Sequence, residues 1–263
     1  MQTLEALIQR HPGTAKAIGA PGRDWMTYAD LKALTQDVRK ALRAAGVSAQ
    51  DRVAIVLPNG PEMAAAFVTV AQSATTAPLN PAYKEDEFAF YLEDLKARAI
   101  IVEAGYDGPA RAAADRFDMT VIELTATEPA GSFTLSCDVQ GSAPEAAPTA
   151  DDVALILHTS GTTSRPKIVP LLQSNVAASA ENIRASLALT PEDRCLNVMP
   201  LFHIHGLIAA VSASLAAGAS ISCAPGFDAL RFYGWLEEVD PTWYTAVPTM
   251  HQAILARAPR NAE

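Results

Sequence analysis

The chain predicts an α/β fold with doubly wound, mostly parallel sheets flanked by helices. Short apolar runs of strand length alternate with amphipathic helical segments along most of the sequence. The strand-like runs are hydrophobic throughout, as strands are when helices cover both faces of a sheet. With 263 residues, 49 % of them hydrophobic, the chain can bury a large core in one or two domains.

Residues 1–8 form an amphipathic start with neither the basic region nor the long apolar region of a secretory signal. Thr27 and Asp30 make a capping box, with Asp in place of the usual Glu or Gln. Leu31, Leu34, Val38, Ala41, Leu42 and Ala45 then recur at helical spacing up to Gly46, a stop signal. Residues 53–57 are a continuous apolar strand closed by Pro58-Asn59-Gly60. A helix over 61–72 follows, with Pro61 in its first turn and Asn59 or Gly60 near its N-cap. Further helices are predicted at roughly 84–97, 107–117, 173–189, 205–217, 228–239 and 249–258. Further strands are predicted at roughly 99–103, 120–124, 153–158, 194–199, 219–224 and 242–247.

Residues 125–152 are rich in Ala, Pro, Ser, Thr and Gly and read as a connector, with some strand near 133–135. That composition predicts a first subdomain over 1–150, with the connector at about 125–150, and a second over 151–263.

Twenty Lys and Arg stand against 29 acidic residues, a net charge of −9, which argues against nonspecific nucleic-acid binding. Cys137, Cys195 and Cys223 have no metal-like spacing and are odd in number, so reduced thiols and a cytoplasmic location are expected. Cys195 and Cys223 sit in apolar stretches and read as core fillers. Residues 207–219, the longest apolar stretch, are too short to span a bilayer and read as a buried Ala-rich helix.

The chemistry concentrates after the strand at 153–158. Thr159, Ser160, Gly161, Thr162 and Thr163 lead through Ser164-Arg165-Pro166 to Lys167. Hydroxyls and backbone N–H groups in such a loop can donate to phosphate oxygens, Lys167 adds positive charge, and Gly161 allows close approach. The plain alternative is an exposed Ser/Thr loop after a strand. A Walker A loop is excluded by spacing: there is one glycine, a proline before the lysine, and Ile168 after it.

Ser160-Gly161-Thr162-Thr163 with Pro166-Lys167 resembles the phosphate-loop signature of the acyl-activating, adenylate-forming enzymes. Ser164 stands where most members carry glycine, and Ser164-Arg165-Pro166-Lys167 narrows the resemblance to the oxalyl-CoA synthetase-like branch. Pro200-Leu201-Phe202-His203-Ile204-His205-Gly206 is similar to the family's Pro-Leu-Phe-His segment. Met26-Thr27-Tyr28-Ala29-Asp30-Leu31, Ala77-Pro78-Leu79-Asn80-Pro81 and residues 242–252 also match family segments, in order.

The resemblance implies the N-terminal large-domain portion of an adenylate-forming enzyme. Thr159, Ser160, Gly161, Thr162, Thr163 and Lys167 would bind ATP phosphates, and His203, His205 and Gly206 would line the acyl pocket. Two histidines two residues apart are too few for a metal site on their own, and satisfaction by backbone at a strand-to-helix turn is the structural alternative. An imidazole in the acyl pocket favours a second carboxylate over a hydrocarbon tail, which points to a small dicarboxylate such as oxalate. Trp243 and Tyr244 taken alone read as core aromatics, and His251 equally well as a helix-surface residue.

The implied reaction is ATP-dependent formation of an acyl-adenylate and transfer of the acyl group to CoA. The family's Mg²⁺-binding glutamate, ribose-binding aspartate and the lysine of its C-terminal lid domain match nothing in residues 253–263. The expectation is therefore the N-terminal portion of a longer enzyme, with little complete turnover by these residues alone. The runner-up readings are a fatty-acid or aryl-acid CoA ligase and, from another class, a noncatalytic nucleotide-binding fragment.

Overall fold

A computed structural model of the chain describes residues 2–159 and 166–258. Short helix α1 (Leu4–Gln9) leads into hairpin β1 (Lys16–Ala20) and β2 (Arg23–Thr27), and then into α2 (Tyr28–Ala44). The capping box expected at Thr27 is present: its hydroxyl accepts from Asp30 N–H while the Asp30 carboxylate accepts from Thr27 N–H. Then follow β3 (Arg52–Val56), α3 (Pro61–Ala71), β4 (Thr75–Pro78), α4 (Glu85–Leu95), β5 (Ala99–Glu103), α5 (Pro109–Asp115), β6 (Thr120–Ala126) and β7 (Phe133–Ser136). The chain continues with β8 (Val153–Thr159), β9 (Lys167–Leu172), α6 (Gln173–Ser186) and β10 (Arg194–Asn197). A π-helical segment (His205–Ser212), α7 (Ala213–Ala217), β11 (Ser220–Cys223), α8 (Phe232–Val239), β12 (Trp243–Thr245) and α9 (Pro248–Leu255) complete it.

The strands form two sheets. One has the order β7-β6-β5-β3-β4-β8-β9, the other β12-β10-β11-β1-β2. Parallel pairs dominate the centres, and antiparallel pairs close the edges at β6–β7, β8–β9 and β1–β2. The sheets do not divide at residue 150. β4 pairs with β8 across that point, while β1 from the N-terminus pairs with β11.

Burial accounts for the continuously apolar strands. On β3, Val53 and Ile55 enter the core between the sheets, and Ala54 and Val56 enter a second core beneath α4 and α5. β5 repeats this, with Ala99 and Ile101 on one face and Ile100 and Val102 on the other. Helix α3, buried along almost its whole length, touches β1 and β11 of one sheet and β3 and β4 of the other. A helix that is apolar all round belongs in such a place. A third cluster packs α8 and α9 on β10 through Leu196, Val198, Phe232, Trp235 and Ile254.

Several elements differ from the sequence expectation. β1 and β2 lie in a stretch predicted without strands: Lys16 and Gly19 interrupt β1, and Arg23 and Asp24 open β2, so neither reads as a continuous apolar run. The predicted helix over 205–217 is π-helical in its first half, and Ser212 Oγ donates to the Leu207 carbonyl five residues back at 2.8 Å. The connector is tied down: Gly141 N–H donates to Ala44 O at 2.7 Å, and the buried Arg43 guanidinium donates to Val47, Ser73 and Ala146 carbonyls. Among the described residues, no helix is long and apolar enough to cross a membrane.

Candidate active site

In open α/β sheets, ligand sites form outside the carboxyl ends of parallel strands. Here both sheets turn such ends toward one cavity of about 620 Å³. Tyr83 follows β4, and His158 and Thr159 end β8. Met199, Phe202, His203, Ile204 and His205 follow β10, and Val247 follows β12.

Thr159 and Lys167 face each other as the last pair of the β8–β9 ladder, at the end of β8 and the start of β9. Both residues are exposed, and Thr159 and Pro166 line the cavity. Lys167 belongs to the return strand, not to the loop in which the sequence placed it. Ser160, Gly161, Thr162 and Thr163 lie outside the described residues.

His203 and His205 both line the cavity. The His203 ring lies 4.4 Å from that of Phe202, and partial burial holds its pKa below the ordinary value. His205 Nε2 is 2.7 Å from Thr245 Oγ1, at the end of β12. Gly206 is buried behind them: a Cβ there would come within 2.6 Å of the Pro200 carbonyl oxygen, so only glycine lets the chain turn this tightly into the π-helical segment. Its contribution is to the backbone path of the wall and not to the cavity surface.

Two further residues carry the geometry without having been singled out by sequence. Thr245 fixes one nitrogen of His205. Asn59, in the turn after β3, accepts from Leu201 N–H at 2.8 Å and donates to Ala224 O at 3.0 Å, so it braces the Leu201–His205 stretch against β11. Pro58-Asn59-Gly60 read as a strand stop with Asn59 or Gly60 near a helix N-cap; Gly60 is that N-cap, and no local pattern discloses that Asn59 has a partner more than 140 residues away. Trp243 and Tyr244 pack in the cores beside Ile183 and Phe232, and Tyr244 Oη lies 3.2 Å from His251 Nδ1.

No cluster of three or more His, Cys, Asp or Glu among the described residues is arranged to hold a metal ion. Thr159 and Lys167 have a hydroxyl and an ammonium that suit phosphate oxygens, and among the described residues nothing beside them supplies a carboxylate set for Mg²⁺.

The chain is 39 % identical to an oxalate–CoA ligase of Arabidopsis thaliana over 268 aligned positions, 99 % of this chain and 52 % of that protein. It is 37 % identical to an oxalate–CoA ligase of Saccharomyces cerevisiae, over 78 % of this chain and 43 % of that one. The chain thus spans about half the length of these relatives. Among solved structures, apo MatB from Rhodopseudomonas palustris superposes with a TM-score of 0.82 at 25 % identity, covering 97 % of this chain and 51 % of that one. The family described as AMP-binding enzyme matches residues 4–263, and the chain belongs to that family.

Proposed function

We propose that the chain is the nucleotide- and acid-binding part of an ATP-dependent acid–CoA ligase, and that the acid is a small dicarboxylate such as oxalate. The observation that carries this reading is the shared cavity, which brings the Thr159 hairpin mouth and the His203–His205 segment together. Thr159 would donate its hydroxyl to a phosphate oxygen, and Lys167 would neutralise phosphate charge. The acid carboxylate would attack the α-phosphorus, form an acyl-adenylate and release pyrophosphate. CoA thiol would then displace AMP, and residues outside this chain would hold a Mg²⁺ ion that neutralises phosphate charge. His205 suits an anion if the Thr245 hydroxyl donates to Nε2, because Nδ1–H then remains a donor for the second carboxylate.

Leu157, Val169, Leu171, Met199 and Val247 support a second reading. These apolar walls suit a fatty or aryl acid, and the cavity has more room than oxalate fills.

Calorimetric titration separates the possibilities. The wild-type chain should bind ATP, and K167A should weaken it about tenfold or more. Oxalate and malonate should bind the ATP-loaded chain, with H205A costing about tenfold. ATP binding that is indifferent to K167A would sink the phosphate assignment. A preference for a medium-chain acid that survives H205A would select the second reading. ATP binding with no response to any acid would favour a nucleotide-binding fragment.

A further inference from the structure

We propose that His158 and Asp94 form a positioning pair, through which α4 holds the protruding end of β8 and so sets the Thr159–Lys167 mouth of the cavity. The phosphate part of this inference rests on the function proposed above; the mechanical part does not.

β8 outruns its sheet. With Thr76 opposite Leu155, the last residue of β4, Pro78, lies level with Leu157, whereas the ladder with β9 continues to Thr159 and Lys167. β9 is the edge strand, its residues exposed or half-buried, and Pro170 lies within it. Residues 158 and 159 therefore lie past the end of β4 and need an anchor on that side. α4 supplies one, since Phe88, Leu92 and Leu95 fix it in the second core. From α4, Asp94 Oδ2 lies 3.1 Å from His158 Nε2. Tyr91, one turn earlier on α4, meets the His158 ring edge-on at 4.6 Å and stacks on Tyr83 at 4.8 Å. Only 7 % of the His158 side chain is exposed, against 40 % for Asp94. A carboxylate accepts, so Nε2 carries the proton and the imidazole donates.

Burial lowers the His158 pKa, and the Asp94 hydrogen bond and charge oppose that shift only in part. The ring is neutral at pH 7.5, and because His158 takes up a proton more readily when the segment opens to water, the anchor loosens as pH falls from about 6.5 toward the lowered value. The titratable groups around it are Asp94 and Tyr91 on α4 and Tyr83 before it. Lys167 flanks apolar Ile168 on β9, and His203 and His205 stand across the cavity.

The test is amide hydrogen exchange in the 263-residue chain, read at residues 157–159 and 167–169, with β5 amides as an internal control for global stability. At pH 7.5, D94A and H158F should each speed exchange at these amides about tenfold while β5 is unaffected. H158Q keeps an N–H for Asp94 and cannot titrate. It should recover most of what H158F loses and stay flat across acid pH, where the wild type accelerates beyond the intrinsic rate. In parallel, ATP affinity should fall with each loosening variant. Wild-type exchange rates in D94A, or H158Q behaving like H158F, would overturn the pair. If the wild type binds no ATP, the functional reading falls while the exchange data still decide the anchor.

Discussion

Asn59 joins a turn of one sheet to the site-forming segment of the other through both halves of its amide. The donor meets Ala224 O and the acceptor meets Leu201 N–H. Asn59→Ala leaves both backbone groups short of a partner, and each unsatisfied buried group costs about 1–3 kcal/mol. We expect a clear drop in the urea midpoint together with altered His203 and His205 imidazole shifts, and unaltered histidine signals would show that the brace does not position the wall. The residue scale is also where the sequence was least complete. Thr159, Lys167, His203 and His205 could be picked out because unusual residue types cluster at strand ends. Asn59, Thr245, Asp94 and Tyr91 could not, since each matters through a neighbour distant in sequence. His158 sat in plain view within an apolar strand, and its polarity there was the unread signal.

At the scale of elements, one local device recurs. Thr27–Asp30 opens α2, and the same spacing at Ser48–Asp51, Thr149–Asp152 and Thr190–Asp193 stands immediately before β3, β8 and β10. In each, the carboxylate accepts from the backbone N–H three residues earlier. Asp193 also accepts from the hydroxyls of Thr242 and Thr190, and the Thr190 N–H bond first, then these, hold its pKa below the usual carboxylate range. Asp193→Ala should cost about 1–3 kcal/mol, the size expected for bonds to a charged acceptor, measured by urea denaturation at pH 7. A loss below 0.5 kcal/mol, on the order of an ordinary surface change, would refute a structural role for this turn. Only the first of the four boxes was recognised from sequence, because its helix supplied the expected continuation; the other three precede strands. The readings of β3, β5, α2 and α3 agree with the structure for a related reason: burial writes an apolar run or a helical period into each of them. β1 and β2 are as long as β3 but carry Lys16, Gly19, Arg23 and Asp24, so no such run stands out.

Across the whole molecule, the stability of the fold should depend on acid in two stages. His11, His158 and His203 all have pKa values lowered, burial being the largest cause in each. The unfolded chain binds protons more readily at such groups, so their contribution is full above about pH 6.5 and is lost as pH falls through the lowered values. Asp152, Glu181 and Asp193 are also lowered and act in a separate, more acidic window. The melting temperature should therefore begin to fall between pH 7 and 6, and a flat profile down to pH 5 would contradict the histidine burial. The fold class was legible at this scale because strand and helix periods alternate along the chain, but the sharing of sheets between distant segments was not. That sharing bears on how the protein is made. β1 finds its parallel neighbour in β11, so Ile18 must wait for Ile221. A ribosome adding ~5–20 residues per second leaves the first hairpin without its partner for on the order of ten seconds or more. During that interval β1 exposes an apolar edge to the cytosol of whatever cell translates it, and early binding by a chaperone would raise the yield of folded protein.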